Sequence, residues 1–227
     1  MTHTVTPNWN HIALIVFDLD GTLVDSKQDL AMSVNAMRRE MGLPSLSLDL
    51  IASYVGHGVT LLVRRALGDL ASDENVEKGT AFFLAYYREH MLDHTLPYPG
   101  VVEALADLGT RKLAVLTNKP VNFSRDMLTR LGLASRFAFI YGGNSFPEKK
   151  PNPAGLQRLM TDLEVQPAQT LMVGDSDTDV LTGKNGGTWT CGVAYGFGAH
   201  TLELAPPDVV IADLRELPEL LDRSSSG

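Results

Sequence analysis

Residues 12–26 read IALIVFDLDGTLVDS. Ile12 to Phe17 form an unbroken apolar run, the pattern of a short strand buried on both faces; a half-exposed strand would alternate. The run stops at Asp18, and Asp20 and Gly21 follow at once. In an open parallel sheet, ligands bind beyond the carboxyl ends of the strands. Two carboxylates and a glycine therefore stand where such a sheet would do its chemistry.

Further runs recur outward from this stretch: Leu113 to Leu116, Phe137 to Tyr141, Leu171 to Val173 and Val209 to Ile211. Helical patterns separate most of them. Val121 to Leu131 sets Phe123, Met127, Leu128 and Leu131 roughly on one side, with Gly132 to end the helix. Pro153 to Leu163 opens on proline and carries Leu156, Leu159, Met160 and Leu163. Strands alternating with helices predict an α/β fold with a mostly parallel sheet. About 95 residues separate the first two strands, far more than an ordinary crossover uses. Within that interval Asp29 to Met41, Val59 to Leu67 and Asn75 to Met91 read as helices, punctuated by Gly42-Leu43-Pro44 and Gly56-His57-Gly58. The expected organisation is a core of residues 11–26 and 97–222 interrupted by a helical cap, residues 27–96. Residues 1–10 and 223–227 are expected to be poorly ordered.

The 227 residues are 44% hydrophobic and 20% charged, with a net charge of -8. That balance argues against a nucleic-acid partner, whose phosphates need Lys and Arg. Ile12 to Phe17 is too short for a membrane span or a signal-peptide core, and no positively charged segment precedes it. The single cysteine, Cys191, lies in a strand-like stretch and forms no internal disulfide, which fits a cytoplasmic location. Nothing in the pattern separates a monomer from a homodimer.

Four strand ends or loops carry reactive side chains: Asp18 and Asp20, Thr117 and Asn118, Lys150, and Asp175 with Asp179. Clustered carboxylates repel one another unless a hard cation lies among them, and Mg²⁺ favours one or two carboxylates completed by water and phosphate oxygens. The cation and Lys150 together would admit an anionic phosphate ester, a small phosphorylated metabolite, and stabilise charge on the transferring group. Thr117 offers a hydroxyl, and backbone N–H groups around Leu19, Gly21 and Asn118 offer further donors. Singly, each residue is as well explained by a turn or a helix cap. The ordered set is not.

Asp18-Leu19-Asp20-Gly21-Thr22-Leu23-Val24-Asp25-Ser26 resembles the first signature of the haloacid dehalogenase-like hydrolase superfamily. Leu116-Thr117-Asn118-Lys119-Pro120, Lys150-Pro151-Asn152-Pro153 and Gly174-Asp175-Ser176-Asp177-Thr178-Asp179 resemble the second, third and fourth, in the same order. The resemblance implies a Rossmann-like parallel sheet core with an inserted α-helical cap. It also implies Asp18 as a nucleophile that forms an aspartyl-phosphate, and Asp20 as general acid and then general base. Mg²⁺ would sit on Asp18, the backbone carbonyl of Asp20 and Asp175, with Asp179 just behind.

Asp20 points to an oxygen leaving group, since dehalogenases of the superfamily lack an acid there. Thr117 to Pro120, Gly174 to Ser176, Val193-Ala194-Tyr195-Gly196 and Val55-Gly56-His57-Gly58 all resemble the phosphoglycolate phosphatase group. Gly155 departs from it, standing where many members have proline. The implied activity is hydrolysis of a small phosphomonoester, 2-phosphoglycolate foremost. The alternatives are a pyrophosphatase, a sugar phosphomutase or a non-catalytic binding module. His57, Arg64 and Arg65 are candidate readers of a substrate carboxylate.

Overall fold

A computed structural model describes residues 8–222. The chain opens with β1 (Leu14–Phe17) and the short β2 (Val24–Asp25), then enters four helices. These are α1 (Lys27–Glu40), α2 (Leu48–Ala52), α3 (Val59–Leu67) and α4 (Asp73–His90). It returns through β3 (Leu96–Pro97) and continues with α5 (Val101–Asp107), β4 (Lys112–Leu116), α6 (Val121–Arg130) and β5 (Phe139–Tyr141). The last third holds α7 (Ala154–Asp162), β6 (Thr170–Gly174), α8 (Asp177–Gly186), β7 (Trp189–Val193), β8 (Val209–Ile211) and α9 (Glu216–Asp222).

Six strands form one parallel sheet in the order β5-β4-β1-β6-β7-β8. The chain winds outward from β1 in one direction through β4 and β5, then in the other through β6 to β8. β1 is thus central, and the ends of β1, β4 and β6 meet at the place where the winding reverses. Burial explains the unbroken apolar runs. Ile15 and Phe17 face a cluster with Leu105, Met127 and Leu217, from α5, α6 and α9. Leu14 and Val16 face the other way, onto Leu156 and Leu159 of α7. Both sides of β1 are core, so neither register can be polar.

β2 and β3 pair antiparallel, Val24 with Pro97 and Asp25 with Leu96, at the two crossings between the sheet and the helical segment. Asp29, in the first turn of α1, ties the crossings together. Its buried carboxylate accepts from the N–H groups of His94 and Thr95, from the Thr95 hydroxyl, and pairs with His94 Nδ1 at 2.9 Å. Burial alone would raise its pKa, but the Thr95 and His94 donors outweigh it and hold it below the ordinary value. Asp29→Ala, which leaves several buried donors unpartnered, should cost about 2–4 kcal/mol, read as a lower urea midpoint. A depressed carboxylate stabilises above its unfolded pKa and loses that contribution as pH falls through its folded pKa. The gap between wild type and variant should therefore narrow on acidification through that range.

Trp9 to His11 form a 3-10 turn, and Trp9 packs on Trp189 with ring centroids 6.1 Å apart. Residues 8–10, expected to be poorly ordered, are thus held in place, because a large aromatic side chain finds a partner on β7. Residues 1–7 and 223–227, expected to be poorly ordered, lie outside the described residues. Among the described residues, no helix is long and apolar enough to cross a membrane.

Candidate active site

Asp18 leaves the end of β1 into a buried position, and Lys150 Nζ lies 2.9 Å from its Oδ1. Lys150 also donates to Asp179 Oδ1 at 2.6 Å. Burial pushes the Asp18 carboxyl up to about 6, a shift that Lys150 only partly offsets. For Lys150, burial is overridden by the charges of Asp179 and Asp18, so its pKa stands above the ordinary value and it remains an ammonium. Asp175, beyond β6, accepts from the Gly198 N–H at 2.7 Å and from the Thr22 hydroxyl at 3.3 Å. Burial, then the charges of Asp179 and Asp18, raise it well above the carboxylate range. Gly21 has φ +87°, and a Cβ there would collide with the Asp175 carboxylate. Only a glycine lets the first loop come so close.

Asp18, Asp175 and Asp179 each bring an oxygen within 4.8 Å of the others. Both oxygens of Asp179 are taken, one by Lys150 and the other by the N–H and hydroxyl of Ser176 at the start of α8. Asp18 Oδ1 is different. It is buried, and although Lys150 is at ion-pair distance, no donor among the described residues is aligned to it as a hydrogen bond. One ammonium facing three buried carboxylates, with an oxygen left unpartnered, fits a hard cation between Asp18 and Asp175.

Asp20 stands at the mouth of this group. Ser26 donates to its Oδ1 at 2.6 Å, and Lys119 Nζ lies 3.0 and 3.1 Å from its two oxygens. Lys119 also donates to the Tyr87 hydroxyl of α4 at 2.7 Å. Sequence reasoning gave neither Lys119 nor Tyr87 a role. The signal for Lys119 was its place beside Asn118; Tyr87 offered none beyond a helical aromatic.

Thr117 follows β4, and its oxygen accepts from the Lys119 N–H at 3.3 Å, which leaves its proton free to donate. The Asn118 side chain is spent as a clip: Nδ2 donates to the carbonyls of Gly56 and Lys150, and Oδ1 accepts from the Lys150 N–H. Any contact of Asn118 with a ligand is left to its backbone. The Gly21 N–H, expected to be a phosphate donor, instead donates to the Val24 carbonyl at 3.0 Å, because the loop closes on itself as a tight turn. Gly21 contributes close approach, not a donor.

A cleft opens between this sheet edge and the helices. Asp18, Asp20, Thr117, Asn118 and Lys119 line it from one side, and Leu30, Val59, Leu62, Phe83 and Tyr87 from the other. Arg64 turns away to Asp73, 2.7 Å distant, and Arg65 reaches the Tyr54 carbonyl. Neither lines the cleft, since Val59 and Leu62 occupy the face of α3 that points there. His57 is exposed and lines a second opening, with Asp175, Asp177 and His200.

A family model described as haloacid dehalogenase-like hydrolase matches residues 15–193. This chain belongs to that family. Among the hydrolases similar to it is a phosphoglycolate phosphatase of Chromobacterium violaceum, 41% identical over 221 residues, covering 94% of this chain and 98% of that protein. A phosphoglycolate phosphatase of Neisseria meningitidis serogroup A is 40% identical, covering 93% and 94%. Among solved structures, a predicted phosphoglycolate phosphatase from Haemophilus somnus superimposes with a TM-score of 0.88 at 32% identity, covering 92% of this chain and 98% of that one. The parallel sheet with flanking helices is the fold that this hydrolase shares with these relatives.

Proposed function

We propose that this hydrolase is a Mg²⁺-dependent phosphatase that cleaves a small phosphomonoester, 2-phosphoglycolate foremost, through an aspartyl-phosphate on Asp18. The observation that carries this is the Asp18 carboxylate, whose residue lines the cleft and whose buried Oδ1 has Lys150 at ion-pair distance but no aligned hydrogen-bond donor among the described residues. An oxygen with lone pairs uncommitted and an ammonium at hand is what an attack on a phosphate ester needs. Relatives called phosphoglycolate phosphatase support the substrate.

In this reading an Asp18 oxygen attacks phosphorus, and Asp20 gives its proton to the departing alkoxide oxygen. Asp20 then takes a proton from the water that releases phosphate from Asp18. Lys150, fixed by Asp179, and the Thr117 hydroxyl hold the negative oxygens of the transferring group. Asp18, the backbone carbonyl of Asp20 and Asp175 would hold Mg²⁺, which when bound screens the ester's charge from the carboxylates. Residues 27–96 would act as a cap, with β2 and β3 as its stem and the Asn118–Gly56 hydrogen bond joining it to the core. A sugar phosphomutase is disfavoured: such enzymes usually carry an acid just before the metal-binding aspartate. That position here is Gly174, where a Cβ would collide with the Asp179 side chain.

Phosphate release from a panel of small esters tests the assignment. With Mg²⁺, 2-phosphoglycolate should give the highest kcat/KM. EDTA should abolish release and added Mg²⁺ should restore it, while Ca²⁺, with its looser and larger coordination shell, should restore little. Full turnover in a demonstrably metal-free preparation would count decisively against the cation, and a higher kcat/KM for inorganic pyrophosphate would displace the substrate.

A further inference from the structure

Lys119 has three N–H groups to place. Asp20 Oδ1 and Oδ2 lie at nearly equal distances, 3.0 and 3.1 Å, so one N–H can serve both. A second goes to the Tyr87 hydroxyl. The third is free for a ligand. The ammonium is also fixed in place. Its side chain is 5% exposed, and Tyr87 is itself held by Phe83 and Phe123, with centroids 5.5 and 5.7 Å away.

The cleft it lines is otherwise apolar on the helical side, and Lys119 is the cationic side chain among its described lining residues. The departing oxygen of a bound ester must come within hydrogen-bond distance of Asp20, about 2.7 Å. A carboxyl carbon on the adjoining carbon atom lies two covalent bonds further on, roughly 2.4 Å from that oxygen. Its own oxygens then fall within reach of an ammonium that already touches Asp20. A longer or uncharged alcohol would put apolar or hydroxyl groups there instead.

Resting on the phosphatase assignment above, we propose that Lys119, aimed by Tyr87, selects phosphate esters whose alcohol bears a carboxylate on the carbon next to the ester oxygen. Lys119 touches the substrate and sets specificity; Tyr87 positions it. A purely structural ion pair between Lys119 and Asp20 would instead support every ester equally.

The test compares kcat/KM for 2-phosphoglycolate with that for 2-hydroxyethyl phosphate, in which CH₂OH replaces the carboxylate. Wild type should prefer the former by roughly 10- to 100-fold, the range of one buried charge-assisted hydrogen bond. In Lys119→Met both substrates should slow, because Asp20 loses its partner, but the preference should fall to within about threefold of unity. Tyr87→Phe keeps the ring and the ammonium and should give an intermediate preference, which guards against a Lys119 variant that fails to fold. A preference unchanged in Lys119→Met, or unchanged in Tyr87→Phe where Lys119→Met does not fold, would overturn the inference. Wild type cleaving both esters equally would overturn it and leave the phosphatase assignment standing. A wild type that releases phosphate from no ester would remove that assignment and the inference together.

Discussion

Replacing Asp18 with asparagine is expected to lower kcat by on the order of 10⁵-fold while leaving the protein folded. The amide has the carboxylate's shape but cannot attack phosphorus, and the other groups give only a residual rate. Folding should survive because Lys150 keeps its 2.6 Å contact with Asp179, and because removing one of three clustered carboxylates relieves repulsion. The melting temperature should accordingly hold or rise. Acid-quenched wild type should carry one phosphate on the peptide containing Asp18, and the variant none. A variant within tenfold of wild-type turnover would end the covalent route.

The second large effect concerns Asp20. In Asp20→Asn the leaving oxygen loses its proton donor, a loss of about 10²–10⁴-fold when glycolate must depart. p-Nitrophenolate leaves without that help, so p-nitrophenyl phosphate should lose far less in the first step. Dephosphorylation needs Asp20 as a base with either substrate, so pre-steady-state release of the alcohol is the quantity to compare. Lys119 loses its counter-charge in this variant but keeps Tyr87. That disturbance bears on glycolate through its carboxylate, so 2-hydroxyethyl phosphate, whose alkoxide also needs a proton but carries no carboxylate, is the control to run beside them. Equal first-step losses would assign Asp20 another task.

Most of the sheet was legible because β1, β4 and β6 are buried on both faces and spell out unbroken apolar runs. The long helices carry apolar stripes, and each lies within two residues of its expected bounds. α8 carried no such stripe: Asp177–Gly186 is rich in Gly, Thr and Asp, and folds as a helix against β6 and β7 with Asp179 capping Ser176. Of the site, the strand-end aspartates were legible from position alone. The Lys119–Tyr87 contact was not, since 32 positions separate the two residues and the contact depends on how α4 lies over the sheet edge. Nor could spacing reveal that the Gly21 N–H and the Asn118 side chain are committed to holding loops together.

The packing of Trp9 on Trp189 has an optical consequence. The chain has two tryptophans, and both sit where β7 begins, at the edge of the sheet opposite Asp18 and Asp175. Trp189 is further tethered by its Nε1 to the Ala168 carbonyl at 3.0 Å. Intrinsic emission excited at the indole band therefore reports on the amino-terminal turn and on global unfolding. It should stay still while a ligand fills the cleft. Ligand titrations on this enzyme need a probe introduced on α4 or the Gly56 loop, whereas denaturation curves can be read from the native chromophores as they stand.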